Sequence, residues 1–135
     1  MRHVAQGGQI LALAAIVAAF LFLPLAVFLI DIGLVEAAYV QLGETVQAAA
    51  EDGASSLDET RFRQSGGSDV VLDQGQARSV ADRAMRVSAL GGLQGWTIST
   101  SSTAVTVAAE QRVSLLIVGA TTIRQRRAAS FVYAP

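Results

Sequence analysis

Residues 10–30 of this chain read ILALAAIVAAFLFLPLAVFLI, 21 consecutive positions without a charge, an amide side chain or a hydroxyl in a protein of 135 residues. Fourteen of them are Leu, Ile, Val or Phe, six are Ala and one is Pro24. An α-helix rises about 1.5 Å per residue, so the run reaches roughly the 30 Å of a bilayer's hydrocarbon core. Each large apolar residue favours insertion by about 0.3–0.6 kcal/mol, and the sum of several kcal/mol outweighs one internal proline. The run predicts a single membrane span.

The charges around the span predict its orientation. Arg2, His3 and the amino terminus precede it; Asp31, Glu36, Glu44, Glu51 and Asp52 follow it, with no basic residue until Arg61. Retained positive charge marks the cytoplasmic side. The expected topology is a cytoplasmic segment 1–9, a transmembrane helix 10–30 and an exported region 31–135, which places the protein in the cell membrane. A cleavable signal peptide is the competing reading, with Val35-Glu36-Ala37 as a small-residue processing site. Secretory apolar segments of about 7–15 residues are shorter than this run, which favours an uncleaved signal-anchor.

Composition narrows the chemistry. The hundred or so residues after the span suffice for one small domain with a limited core. Cysteine, lysine and asparagine are absent and the only histidine is His3. A thiolate nucleophile, a cysteine-based metal site, a Ser-Lys dyad and an exported Ser-His-Asp triad are therefore excluded, and no enzyme activity is expected. His3 beside Arg2 reads as a solvated side chain. Asp58, Glu59, Asp69 and Asp73 lack the spacing of a calcium loop and lie near Arg61 and Arg63, so they read as solvated loop charge. A net charge of −1, with arginines alternating with carboxylates, gives no field for nucleic acid. Gly7-Gly8 has neither the preceding strand nor the full pattern of a phosphate loop. No cofactor, metal or small-molecule substrate is expected.

The helical signal continues past the span. Ile32, Val35, Tyr39, Leu42, Val46 and Ala49 recur at spacings of three and four and draw one apolar stripe. One helix from about Gln9 to about Asp52, on the order of 65 Å long, is expected, with Pro24 as a kink point, Gly33 as a loosening point and Gly53 as the stop. The stripe serves either to cover the protein's own sheet or as a subunit interface, and the small size of the domain favours the former. Residues 54–70 read as a loop. Asp73, three before Gln76, has the spacing of a capping box and opens a second helix. That helix has an inward face of Ala77, Val80, Ala81, Ala84 and Val87 or Ser88 and an outward ladder Arg78, Asp82, Arg86, and Gly91-Gly92 ends it. Beyond Gly95 the period changes to two: Trp96, Ile98, Thr100; then Val105, Val107, Ala109; then Ile123 through Tyr133. Three antiparallel strands follow, with Leu115–Val118 as a strand end or short buried turn and Trp96 as a core residue. The fold class is α+β: a long N-terminal helix, half transmembrane and half exported, packed with a second helix on a three-stranded antiparallel sheet.

The order of several short motifs carries a resemblance. Gly8-Gln9 opens the apolar run, Asp31-Ile32-Gly33 closes it, and an Ala-rich stretch runs from Val46 to Ala50 with Gly53 and Ala54. Leu72-Asp73 precedes Ala77, Ala81 and Ala84, and Val105-Thr106-Val107, Leu115 to Gly119, Ile123 and Ala128-Ala129 complete the series. Over nearly the whole chain this resembles TadE/TadG-type pseudopilins of the tight-adherence (Flp) type IV pilus system, particularly the actinobacterial kind. The resemblance implies a pilin-like fold, a component of pilus assembly or a related secretion apparatus, and partners in the lipid bilayer and among other pseudopilins. It also implies a leader-processing site at Gly8 and Gln9. Processed members carry Glu or Tyr at the fifth position after the cut, and here that position is Leu13. Retention of the leader is therefore expected, with the TadG-like members as the nearer analogue. Asp31, Gly33, Val35, Tyr39 and Leu42 are the candidate helix-packing or docking residues; the plainer role for Asp31 is to mark the lipid-water boundary, where a carboxylate costs little. The rival functional reading is a membrane-anchored extracytoplasmic binding or sensor module unrelated to pili, which would present a concave pocket.

Overall fold

The computed structural model describes residues 4–130. Arg2 and His3, on which the orientation argument rests, lie outside the described residues, as do Phe131 and Tyr133. One helix, α1, runs from Val4 to Ala54, about 77 Å at the usual rise per residue. Pro24 lies inside it, and the helix is continuous through both Pro24 and Gly33. Its most apolar 18-residue stretch has a mean hydropathy of 2.9, and none of that stretch is buried. The helix is long and apolar enough to be compatible with a single membrane span.

The remaining elements gather around the last third of α1. A short helix α2 spans Glu59–Gln64, α3 spans Gln74–Val87, and the strands β1 (Leu93–Thr100), β2 (Ala104–Ser114) and β3 (Ala120–Ser130) complete the chain. The sheet is antiparallel in the order β1-β2-β3. Two helices cover one face of it, α1 lying over β2 and β3 and α3 alongside α1 over β1. Three strands alone would be marginal in water, so this cover is what makes the sheet stable. The core comprises Leu42, Val46, Ala49, Ala50 and Ala54 of α1, Leu72, Ala77, Ala81 and Met85, and Val105, Val107 and Ala109 of β2, with Trp96, Ile98 and Ile123 packed at its edge. The alternation in β2 accounts for this, since every second residue from Val105 to Gln111 is buried.

Five details depart from the sequence reading. Gly53 does not stop α1 but lies within it: a Cβ there would stand 3.0 Å from the Ala77 carbonyl and 3.2 Å from both Ala81 and Val105. The glycine therefore permits the close approach of α3 and β2 to α1. Residues 54–70 are not a plain loop, because Asp58 accepts from the Arg61 amide at 3.0 Å and nucleates α2. Only half of the capping box forms. Asp73 accepts from the Gly75 and Gln76 amides, both at 3.0 Å, while its own N–H donates to the Ser56 carbonyl at 3.1 Å. Helix α3 ends at Val87, with Ser88 as its cap, and Val87 is exposed while Met85 takes the core position. Gly92 belongs instead to the turn into β1; its φ is 77°, and a Cβ there would lie 2.3 Å from the Arg112 carbonyl oxygen. Finally, Leu115–Val118 is neither a strand end nor a buried turn; it forms the β2–β3 loop, and most of it is exposed.

Candidate functional site

The candidate docking residues fall on different sides of α1. Leu42 is fully buried in the core. Gly33 is exposed, with nothing within 4 Å of a Cβ built on it. Asp31, Val35 and Tyr39 lie together on the face turned toward the β2–β3 loop. Gly8 and Gln9 are exposed residues within α1.

Strand and helix dimensions explain why Asp31 meets that loop. Val105 of β2 packs at Gly53. From Gly53 back to Asp31 the helix covers about 33 Å, and from Val105 to Leu116 an extended chain covers about 37 Å. The tip of the hairpin thus arrives level with Asp31, one residue beyond the apolar run.

There Asp31 is 4% exposed. Its two oxygens accept separate backbone hydrogen bonds, from the Leu116 N–H at 2.7 Å and from the Ile117 N–H at 3.0 Å. The preceding amide, that of Leu115, donates to the Gly119 carbonyl. Gly119 has a φ of 88°, a left-handed conformation that closes the loop and that residues with a side chain rarely adopt. Three consecutive amides of an irregular loop are thereby satisfied without water. A buried carboxylate has here charge-assisted partners of a kind that lower its cost. Sequence reasoning weighed Asp31 as a boundary marker or a docking residue and missed this contact, which joins residues 85 and 86 positions apart.

The loop's side chains are apolar and exposed: Leu116 is 67% exposed, Ile117 55% and Val118 71%. Leu115 and Val118, with Phe28, Ile32, Val35 and Tyr39, line an apolar groove of about 360 Å³ between the loop and α1. Asp31 and Glu36 also line it. Further up, the Tyr39 carbonyl accepts from Gln125 Nε2 at 3.4 Å, and Gln125 is itself buried. The upper part of the stripe drawn from sequence is thus split. Leu42, Val46 and Ala49 cover the sheet, whereas Ile32 and Tyr39 remain about half exposed.

Several other charged groups pair with one another near the surface. Arg61 pairs with Asp69 at 3.2 Å and Arg63 with Glu59 at 2.9 Å. Asp82 accepts from Arg86 at 2.6 Å and from the Trp96 indole N–H at 2.9 Å. The Arg86 guanidinium lies 5.7 Å from the Trp96 ring centroid. The hydrogen bond from Arg86, then that from Trp96, holds the Asp82 carboxyl below the ordinary carboxylate range. Trp96, half-buried, ties β1 to α3 through this contact. On the outer face of the sheet a trough of about 630 Å³ is lined by Gln94, Thr97, Glu110, Arg124 and Arg126, with Arg124 paired to Glu110. Among the described residues no group of three or more His, Cys, Asp or Glu is arranged to hold a metal ion.

No protein-family model, curated protein or solved structure matches this chain.

Proposed function

We propose that this protein is a single-pass, membrane-anchored pseudopilin-like component that takes part in assembling a tight-adherence pilus or a related secretion apparatus. The observation that carries the reading is the double use of α1. One continuous helix supplies an exposed apolar length that matches a bilayer and, in its last turns, the core of a small α+β head. A helix so divided couples the position of the head to the position of the anchor, which is what an assembly component needs. Its action is positional, with no chemistry of its own. The amino terminus is cytoplasmic and the head exported, and the exposed side of α1 around Gly33, Ala37 and Ala38 offers other pseudopilins a surface on which helices approach closely.

Deletion of the gene in the native cells, with pili counted by electron microscopy and restored by the intact gene, tests the role. Loss of pili is the expected result. Unaltered piliation would overturn the reading in favour of a binding or sensor module. An alkaline phosphatase fused after Pro135 tests the topology and should be active.

A further inference from the structure

We infer that the β2–β3 loop, Leu115–Gly119, is a second membrane contact of this protein, its apolar side chains entering the lipid layer beside the span. The inference rests on the reading of α1 as a membrane anchor and goes beyond it, since an anchor alone requires nothing of the head.

Depth is the first argument. The amides of Leu116 and Ile117 are bonded to Asp31, the first residue after the apolar run, and Leu115 and Val118 share a groove with Phe28, which lies inside the run. The loop is therefore level with the last turn of the span, and whatever solvates Phe28 reaches Val118 as well. Chemistry is the second. From Val113 to Ile123 no residue is charged, and Arg112 and Arg124 bracket the segment. An apolar tip with arginines set back from it suits acyl chains below and lipid headgroups above. Backbone satisfaction is the third. Irregular backbone is tolerated at membrane depth only when its polar groups have partners. Here Asp31 and Gly119 bond the amides of Leu115, Leu116 and Ile117. Exposed apolar side chains on a loop whose first three amides already have partners are the opposite of what a water-facing turn needs.

A lipid surface is the occupant these observations select, and a second copy of the head is the competitor. The absence of cysteine allows single labels. The full chain, carrying Ile117→Cys, Val17→Cys or Thr103→Cys with an environment-sensitive NBD label, is reconstituted in phosphatidylcholine and phosphatidylglycerol vesicles with nitroxide lipids of graded depth. The label at 117 should emit at shorter wavelength than the label at 103 and be quenched by shallow nitroxides. The label at 17 should be quenched by deep ones. If 117 behaves like 103 while 17 is quenched, the loop lies in water and the inference fails although the anchor stands. If 17 also escapes quenching, the anchor reading fails and the inference with it. A blue shift at 117 that depends on protein density and not on nitroxide lipid would assign the surface to a second copy and overturn the proposal.

Discussion

The two turns at the ends of β2 solve the same problem with opposite chemistry. At one end, Ser101-Ser102-Thr103 is polar and exposed, and it is closed by its own side chain: Ser101 Oγ accepts from the Ala104 amide at 2.9 Å. At the other end, Leu115–Gly119 is apolar, and two of its amides reach Asp31 on another element. A polar, exposed turn can leave unmet amides to solvent, so its own closure is inexpensive to change; its one tie to a distant segment is the Ser102 carbonyl, which accepts from the Leu72 N–H at 2.9 Å. The apolar turn has its amides bonded instead, that of Leu115 to the Gly119 carbonyl within the loop and those of Leu116 and Ile117 to one distant carboxylate. The helix behind the two turns shows the same polarity. Near Ser101 it is packed tightly through Gly53 and the alanines; near Leu115 it is half bare.

The largest expected effect separates the packed from the bare end of α1. Gly53→Leu drives a side chain into the Ala77 carbonyl and Val105, and overpacking of this kind costs on the order of 3 kcal/mol. A Cβ at Gly33 meets nothing within 4 Å, so Gly33→Leu should leave the head's stability unchanged. Thermal unfolding in detergent, followed by circular dichroism, compares them; equal midpoints would erase the distinction.

Next in size is the proximal turn. Asp31→Asn keeps the shape but replaces one accepting oxygen by an amide donor, leaving a loop N–H without its charged partner at a cost of about 2 kcal/mol. The loss is local, so hydrogen exchange at Leu116 and Ile117 should accelerate while the amides of β1 hold. Ser101→Ala at the distal turn should cost only about 1 kcal/mol, because water replaces the lost bond. Accelerated exchange confined to Ala104 and its neighbours is its signature.

The smallest effect lies in the contact between α3 and β1. The Asp82 carboxyl is depressed in the folded protein by its bonds to Arg86 and Trp96. The stabilisation it lends is fully present above the unfolded aspartate value of about 3.9 and is lost as pH falls through the lower folded value. Since Trp96 is the only tryptophan, its fluorescence should change at a midpoint below that of a free aspartate. Asp82→Asn should remove the transition. A midpoint above about 4 would contradict the assignment.

The long helix with its exposed apolar length, the start of α3 at Asp73 and the three strands were all legible because each rests on neighbours in sequence: an unbroken apolar run, a period of three to four, a cap before its helix, an alternation of two. The local rules failed where a residue answers to a distant one. Gly53 resembles a helix stop because glycine commonly is one, and only the passage of Ala77 at 3.0 Å reveals why no side chain fits there. Met85 takes the core position because it continues the four-residue row of Ala77 and Ala81, which leaves Val87 on the exposed side of the same helix. Glu59–Gln64 folded into α2 on the strength of the Asp58 cap, a signal present in the sequence but diluted by serines and glycines around it.

At the candidate site the division is sharper. That residues 10–30 suit a bilayer, that an acid follows them and that Leu115–Val118 is apolar are properties of composition and order, and the sequence alone determined them. That this acid holds that loop was decided only by the tertiary structure. The pairing needs α1 to run back along the full length of a hairpin so that 22 helical residues match 11 extended ones, and no local pattern encodes a match between the rise of a helix and the rise of a strand.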